Sequence, residues 1–277
     1  MRLTTTLAIV GLLLAPATMA AERNDLPSCY RYAQLASEQP APSGRALTVV
    51  IDETVNMPQA LKSSAWEHTL RYLQPGDSIK LYQFSALLQN NYMKLQFAGI
   101  LEKPLVGKVR NHIGNASLKK LDTCLQQQAA FFQKTFGKQF VESFGKPNEE
   151  ISRSEIFASL KKIGEDLGQE PSEDQIILLV SDMLENSDFG SFYQANRIRG
   201  IDPAAELAKV EKKELFAQLD GARVYVMGAG LIGDDAKGAY RSGKVLQSLE
   251  RFWQGYFERS NARLVSFGTP ELTTDLK

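Results

Sequence analysis

The segment that most constrains this chain is a short apolar run followed at once by regularly spaced, oxygen-bearing side chains. The run at 47–51, LTVVI, is rich in β-branched residues and predicts a central strand that is buried on both faces. Directly after it come three hard oxygen ligands at alternate positions, Asp52, Thr54 and Asn56. Open α/β sheets bind ligands beyond the carboxyl ends of their strands, and oxygen-only groups suit Mg²⁺, Mn²⁺ or Ca²⁺. We therefore predict a divalent-cation site at the end of this strand.

Further strand patterns follow along the chain, and helical patterns alternate with them. The apolar spacing predicts strands at 78–85, 92–98, 175–180, 223–227 and 263–267. The segment 92–98 follows its predecessor after a short polar connection at 89–91, so these two strands are predicted to pair as an antiparallel hairpin. The alternation predicts an α/β fold, namely a doubly wound, Rossmann-like and mostly parallel sheet of about six strands with helices on both faces.

Helical spacing predicts the segments that cover this sheet. The predicted helices are 59–73, 118–144, 154–167, 203–219 and 244–260. The 118–144 helix lies in a helical insertion at about 100–150, and its phenylalanine stripe is predicted to pack on its own domain. Ser154 or Ser152 is predicted to cap the helix that begins near 154.

The first 20 residues are typical of a cleaved secretory signal. Arg2 precedes an apolar run at 7–15, and small residues stand at Ala17 and Ala20, after which cleavage is predicted. The later sequence contains no run of 18 or more apolar residues that could span a bilayer. We predict an exported, periplasmic protein without a transmembrane anchor. Its parts are a signal peptide at 1–20, an N-terminal arm at 21–45, a main domain at 46–268 and a C-terminal tail at 269–277.

The charge balance argues against nucleic acid as a partner. The chain has 32 basic and 32 acidic side chains, and the predicted cleavage removes one basic residue, Arg2. The near-neutral remainder lacks the basic face with which a protein binds phosphate backbones.

The two cysteines of the chain, Cys29 and Cys124, lie in the predicted mature protein. Exported proteins meet oxidising conditions in which thiols pair, so we predict a disulfide between these residues. Two unconnected buried thiols are the alternative.

Two later segments complete a pattern that begins with the run at 52–56. Ser154 opens the helix SEIFASLKKIGEDL, and Asp182 follows an apolar strand in IILLVSDMLEN. In this order they resemble the metal-ion-dependent adhesion site of the von Willebrand factor type A domain. That site has a D-x-S-x-S run after the first strand, a Thr before a later helix and an Asp after the fourth strand. The resemblance spans about 45–267 and is interrupted by the helical insertion.

The chain departs from this motif at three positions. Thr54 and Asn56 stand where the family has two serines, and Ser154 stands where it has a threonine. Each replacement keeps an oxygen that a hard cation can bind. The resemblance implies a bound divalent cation, which is Mg²⁺, Mn²⁺ or Ca²⁺. Its direct ligands would be Asp52, Thr54, Asn56 and Ser154. Asp182 would bind it directly or through a water molecule.

The resemblance implies binding without turnover, so no catalytic residue is predicted. In such domains the cation keeps an open position that an Asp or Glu carboxylate of a partner protein fills. The loop after Asp182 offers Phe189, Phe192 and Tyr193 as predicted contacts to that partner. A metal-independent envelope scaffold, in which Asp52 and Asp182 only cap helices, is the alternative.

Three other patterns in the sequence allow different interpretations. Gly228–Gly233 satisfies G-x-G-x-x-G, but the acidic, glycine-broken DDAKGAYRSG that follows argues against nucleotide binding. The acid after the first strand looks something like the nucleophile of haloacid dehalogenase-type phosphohydrolases, but Thr54 occupies the position of their general acid. Further acids could form a carboxylate-rich rim beside the site or be merely solvated, at Glu53, Glu185, Asp188, Asp234 and Asp235.

Overall fold

A computed structural model of the chain describes residues 23–84, 93–145, 154–194, 197–232 and 243–277. The predicted signal peptide and the predicted hairpin connection lie outside the described residues, as do Ser152, Gly233, Asp234 and Asp235.

Ten strands occur in the part of the chain that the structure describes. They are β1 (Arg45–Asp52), β2 (Ser78–Phe84), β3 (Met93–Ile100), β4 (Asp174–Val180), β5 (Asn186–Ser187), β6 (Gly190–Ser191), β7 (Tyr193–Gln194), β8 (Arg197–Ile198), β9 (Arg223–Met227) and β10 (Arg263–Phe267). The two-residue strands form two small hairpins, β5 with β6 and β7 with β8, in the loop after β4.

Seven α-helices and one 3-10 turn occur within the same described ranges. They are α1 (Cys29–Tyr32), the 3-10 turn Ala36–Glu38, α2 (Gln59–Tyr72), α3 (Gly107–Asn111), α4 (Asn115–Glu142), α5 (Ile156–Gln169), α6 (Pro203–Lys212) and α7 (Gly243–Arg259). None of these helices has both the length and the apolar character needed to cross a lipid bilayer.

Six strands form one sheet in the order β10-β9-β4-β1-β2-β3. Neighbouring strands are parallel except for the antiparallel pair β2–β3 at the edge. Counted along the chain, the six strands follow the order 3-2-1-4-5-6 of doubly wound α/β folds, with the direction of winding reversing between β1 and β4. The predicted α/β fold and its antiparallel edge are confirmed. The reversal leaves a crevice at the carboxyl ends of β1 and β4, where such sheets bind ligands.

Helices cover both faces of this sheet, which explains why β1 is apolar without alternation. Val49 and Ile51 pack in a core with α2 and α4, whereas Val50 packs on the opposite face with α5, α6 and α7. All three side chains are fully buried. Apolar residues at successive positions are therefore required by the two-sided burial of a central strand.

The N-terminal arm is tied to the rest of the molecule by the predicted disulfide. Cys29 in α1 is bonded to Cys124 in α4, with their Cα atoms 5.4 Å apart across a sequence separation of 95 residues. Tyr30, Leu105 and Leu121 are buried around it in a small apolar cluster. The arm is thus an integral part of the fold.

The phenylalanine stripe of α4 lies in the main core, as predicted. Phe132, Phe136 and Phe140 are buried against α2 and the sheet. The ring of Trp66 in α2 lies 5.8 Å from that of Phe136 and 5.5 Å from that of Phe140. This face of α4 is therefore occupied within the domain.

Two of the helix boundaries that differ from those predicted bear on the site or have a clear cause in the backbone. Helix α5 begins after Glu155, and Glu155 makes no side-chain capping hydrogen bond, so the prediction that Ser154 caps this helix is wrong. Helix α6 ends at Lys212, several residues before the predicted end at 219, because the chain turns at Glu214, whose φ of 54° is left-handed.

Candidate metal centre

Two buried carboxylates follow the two central strands at the point where the winding of the sheet reverses. Asp52 is the last residue of β1, and Asp182 lies two residues beyond the end of β4. The strands pair in parallel, with Ile51 opposite Val180. Asp52 is fully buried and Asp182 is 3% exposed. The sheet therefore places both acids at the same edge.

Asp52 accepts four hydrogen bonds that converge from three segments of the chain. Its Oδ1 accepts from the Thr54 backbone N–H (3.0 Å) and from Thr54 Oγ1 (2.6 Å). Its Oδ2 accepts from Ser154 Oγ (3.2 Å) and from Ser181 Oγ (2.8 Å). We call Asp52, Thr54, Ser154 and Ser181 the Asp52 cluster. A hydroxyl that donates its hydrogen to a carboxylate keeps its lone pairs for another partner, so the hydroxyl oxygens of Thr54 and Ser154 can bind a hard cation. The Ser181 hydroxyl also accepts from the Met183 N–H at 3.0 Å, which suits it to orienting Asp52.

Asp182 is held by its own loop. Its Oδ1 accepts from the Leu184 backbone N–H at 2.9 Å, and its Oδ2 accepts from the Tyr193 hydroxyl. The next residue, Met183, has a left-handed φ of 61°, which is uncommon for a residue other than glycine. Trp253 Nε1 fixes this strained backbone by donating to the Met183 carbonyl at 2.9 Å. The position of Asp182 is thus set by the fold before any ligand arrives.

Burial and mutual repulsion oppose ionisation of both acids at once. Burial raises the pKa of Asp52, although hydrogen bonds from Thr54, Ser181 and Ser154 act in the opposite direction. Burial, together with repulsion from Asp52, raises the pKa of Asp182 to about 8. Two neighbouring buried carboxylates share a proton near neutral pH unless a cation compensates their charge. This is the electrostatic situation that a bound divalent cation relieves.

Ser154 reaches Asp52 because it is bonded to the loop after β4. Its backbone N–H donates to the Asn186 carbonyl, and the Asn186 N–H donates to the Ser154 carbonyl, each at 3.0 Å. This antiparallel bridge lies before the first turn of α5 and explains why Ser154 does not cap that helix. Its hydroxyl is used at the Asp52 cluster instead.

The structure brings together most of the predicted ligands. Asp52, Thr54 and Ser154 are joined by hydrogen bonds, and Asp182 is close enough to Asp52 for repulsion to alter its pKa. Asn56 is exposed. Within the described residues, it takes no part in the hydrogen bonds that surround Asp52.

Two predictions about the neighbouring loop are wrong. Phe192 was predicted to contact a partner, but it is fully buried with its ring 5.1 Å from that of Phe252. Glu185 was expected either on an acidic rim or merely solvated, but it is only 1% exposed. Tyr193 is half-buried with its hydroxyl bonded to Asp182, and its contact with a partner stays a prediction. Phe189 is partly buried, and Asp188 is exposed.

The described part of the glycine-rich turn after β9 supports the site loop. The Gly230 N–H donates to the Asp182 carbonyl at 2.8 Å. Gly228 has a φ of 100°, and a Cβ there would lie 3.0 Å from the Ser181 carbonyl oxygen and 2.8 Å from Met57 Cε. These contacts give the glycines of this turn a structural reason that does not involve a nucleotide.

Sequence reasoning missed two contacts in the site. Ser181 donates a hydrogen bond to Asp52. Its place next to Asp182, directly after an apolar strand, could have indicated that it lies in the site. The bond from Tyr193 to Asp182 spans 11 residues of the loop after β4, and no sequence pattern indicates it.

The donor set of this site is rich in hydroxyls and poor in charge. Across the described ranges, no group of three or more His, Cys, Asp or Glu side chains is arranged to hold a metal ion. The centre instead combines two carboxylates with the hydroxyls of Thr54, Ser154 and Ser181. Such oxygen donors fit Mg²⁺, Mn²⁺ or Ca²⁺ and do not fit softer metals.

Comparisons with known proteins leave the family open. No family model matches the chain, and no curated protein matches it. A solved structure that is similar is that of an aerotolerance-related membrane protein from Bacteroides fragilis carrying multiple mutations to serine. It is 11% identical, with a TM-score of 0.34, and the match covers 80% of this chain and 91% of that one. At this TM-score the likeness identifies neither family nor activity, so we interpret the site from its own residues.

Proposed function

We propose that this protein is an exported, periplasmic protein-binding module that uses a divalent cation to bridge to an Asp or Glu carboxylate of a partner protein. The observation that carries the proposal is the Asp52 cluster, in which a neighbouring hydroxyl and two from distant segments surround one buried carboxylate beside a second. The cluster lies where the direction of winding reverses, and sheets with this strand order bind ligands at that point. The von Willebrand factor type A resemblance implies the same kind of site.

Four residues would bind the cation in this proposal, and a fifth would orient one of them. Asp52, Thr54, Ser154 and Asp182 would hold Mg²⁺, or Mn²⁺ or Ca²⁺, while Ser181 orients the Asp52 carboxylate. The cation, when bound, supplies a positive charge and an open position for a carboxylate oxygen. The exposed Asn56 is the weakest of the predicted ligands.

The arrangement favours binding over hydrolysis. A phosphohydrolase of the type considered above needs a free carboxylate nucleophile and a second acid as proton donor. Both oxygens of Asp52 accept hydrogen bonds, and the hydroxyl of Thr54 at the proton-donor position donates to Asp52 itself. The site therefore offers fixed oxygen ligands and no free acid–base pair at Asp52.

A metal-independent envelope scaffold is the second candidate. It is favoured by the fact that four hydrogen bonds already fill the acceptor positions of Asp52. In that case the cluster would serve only to lock three loops together.

Capture of partners from a periplasmic extract distinguishes the two candidates. Wild type and Asp52→Ala are each used as bait with Mg²⁺ and with EDTA. Asp275→Ala is the matched control, because Asp275 is 65% exposed in an ion pair on the C-terminal tail. A partner retained by wild type and by the control in Mg²⁺, and lost in EDTA and in Asp52→Ala, supports metal bridging. A partner that all baits retain in both buffers supports the scaffold.

A further inference from the structure

The amino end of helix α5 lacks a cap from its own sequence. The N-cap residue is Glu155, and its side chain makes no capping hydrogen bond. A helix start leaves backbone N–H groups without intrahelical acceptors, and buried ones need partners. Ile156 and Phe157, the first residues of α5, are both buried. Their amides therefore require an acceptor from another part of the chain.

Glu185 supplies that acceptor from the loop after β4. Its Oε2 accepts from the Phe157 N–H at 3.2 Å. The Ser187 hydroxyl and the Ile156 N–H act to lower the pKa of this carboxyl group, against the larger effect of its burial. A carboxyl oxygen can accept this bond whether or not the group is ionised, and its partial negative charge suits the amino end of a helix. A buried acid that the proposed cation site does not use is thus accounted for by α5.

The capping bond and the Ser154 bridge involve adjacent residues of the loop and residues three positions apart, Ser154 and Phe157, at the start of α5. Asn186, which pairs with Ser154 through two backbone hydrogen bonds, directly follows Glu185. Ser154 lies two residues before Ile156, the first residue of α5. Phe157 is itself fixed by aromatic packing, with its ring 5.4 Å from that of Trp253. The start of α5 is therefore joined to two consecutive residues of the loop, Glu185 and Asn186.

We infer that Glu185 is a positioning residue, which joins the loop carrying Asp182 to the amino end of α5 and thereby holds the Ser154 hydroxyl against Asp52. Because Glu185 caps α5 from a different segment, Ser154 is released from the capping role that its sequence position predicts. The inference deepens the proposed function and rests on it only where cation binding is concerned.

Amide hydrogen exchange in the metal-free protein tests this role directly. Glu185→Met keeps the length of the side chain but removes the acceptor, and it is expected to speed exchange at Phe157, Ser154 and Asn186 by about tenfold, as for loss of one hydrogen bond. Glu185→Gln keeps an acceptor oxygen and should remain close to wild type. Glu165→Met, an exposed position on the same helix, is the control and should change none of these amides.

A milder variant keeps the test decisive if Glu185→Met does not fold. Glu185→Asp withdraws the carboxylate by one methylene group, and it should speed exchange at the same three amides by a smaller factor. If the folded variants change exchange at Phe157 alone, Glu185 is an ordinary helix cap and the inference is overturned. Unchanged exchange at Ser154 and Asn186 in both Met and Asp variants overturns it equally.

Titration of the same variants with Mg²⁺ separates this inference from the proposed function. Glu185→Met, or Glu185→Asp in its place, should weaken Mg²⁺ binding by about tenfold, the usual effect of disturbing a residue that orients a metal ligand, whereas Glu185→Gln should not. If wild type binds no Mg²⁺, the proposed function fails while the exchange data still decide the positioning role. If wild type binds Mg²⁺ and the Met and Asp variants bind it equally well, the positioning role fails while the metal site stands.

Discussion

The hydroxyl of Ser154 donates a hydrogen bond of 3.2 Å to Oδ2 of Asp52, a residue 102 positions away in the sequence. Asp52 ends the central strand β1, and Ser154 lies beside the loop after β4, with which it forms a two-bond bridge at Asn186. The contact therefore depends on the neighbouring positions of β1 and β4 in the sheet. It brings together three loops at the crevice where the winding reverses.

Removing this hydroxyl should weaken the cation site without unfolding the protein. We expect Ser154→Ala to reduce Mg²⁺ affinity by about tenfold. Ser154→Thr keeps a hydroxyl and should retain binding, provided that the buried site admits the added methyl group. The measurement is the Mg²⁺-dependent rise in melting temperature, which follows from preferential binding to the folded state. An equal rise in wild type and Ser154→Ala would show that this hydroxyl does not bind the cation.

The stability of the metal-free protein should fall as the pH rises from about 5 to 8. Burial, reinforced by repulsion from Glu155, raises the pKa of Glu185 to about 8, so the folded state holds this proton more tightly than the unfolded state. The stabilisation is complete below the ordinary pKa of a glutamate and is lost as the pH rises through the folded value, a loss on the order of 3 to 5 kcal/mol. Asp182 has a pKa raised to about 8 and acts in the same direction.

Glu185→Gln isolates the contribution of Glu185 to this pH dependence. The variant cannot ionise at this position, so its free energy of unfolding should fall less steeply over the same pH interval, with the remaining slope attributable in part to Asp182. Urea denaturation at a series of pH values measures both slopes. A slope in Glu185→Gln equal to that of wild type would contradict the assignment.

The disulfide should make a large contribution to stability. Cys29 and Cys124 close a loop with a sequence separation of 95 residues. Constraining an unfolded chain over such a loop stabilises the folded state by about 4 kcal/mol. Urea denaturation with and without reductant should therefore show a marked loss on reduction. A Cys29→Ser, Cys124→Ser double variant should match the reduced wild type and be insensitive to reductant, and a wild type that reductant leaves unchanged would contradict this prediction.

The phenylalanine stripe of α4 offers a matched pair of substitutions. Phe136 is fully buried among aromatic rings, whereas its neighbour on the same helix, Phe131, is 42% exposed. Phe136→Ala should lower the free energy of unfolding by about 3 to 5 kcal/mol because it opens a cavity in the core. Phe131→Ala should have a much smaller effect. Similar losses in both variants would show that α4 does not use this face for packing.

The sequence predicted the fold well because the burial of the sheet is two-sided. The apolar runs of β1 and β4 have no alternation, and only a central strand covered on both faces requires that pattern. Asp52 and Asp182 follow those runs directly, so their shared edge was predictable from the parallel order of the strands.

The finer geometry of the site depends on contacts that local patterns do not contain. The alternate spacing of Asp52, Thr54 and Asn56 would place their side chains on one side of the chain only if the backbone stayed extended. The backbone turns at 53–55, and Asn56 is exposed. The cap of α5 comes from Glu185, about 30 residues further along the chain. The burial of Phe192 follows from its packing on α7 and not from its place in a loop.

Isothermal titration of the metal-stripped protein with Mg²⁺ and with Mn²⁺ tests the central claim most directly. Wild type should bind a single divalent cation with a measurable heat, and Asp52→Asn, which removes the negative charge while keeping the size of the side chain, should abolish that binding. Asp275→Asn, on the exposed tail, should bind as wild type does. Absence of heat in wild type at millimolar metal, or equal binding by Asp52→Asn, would contradict a cation site at Asp52.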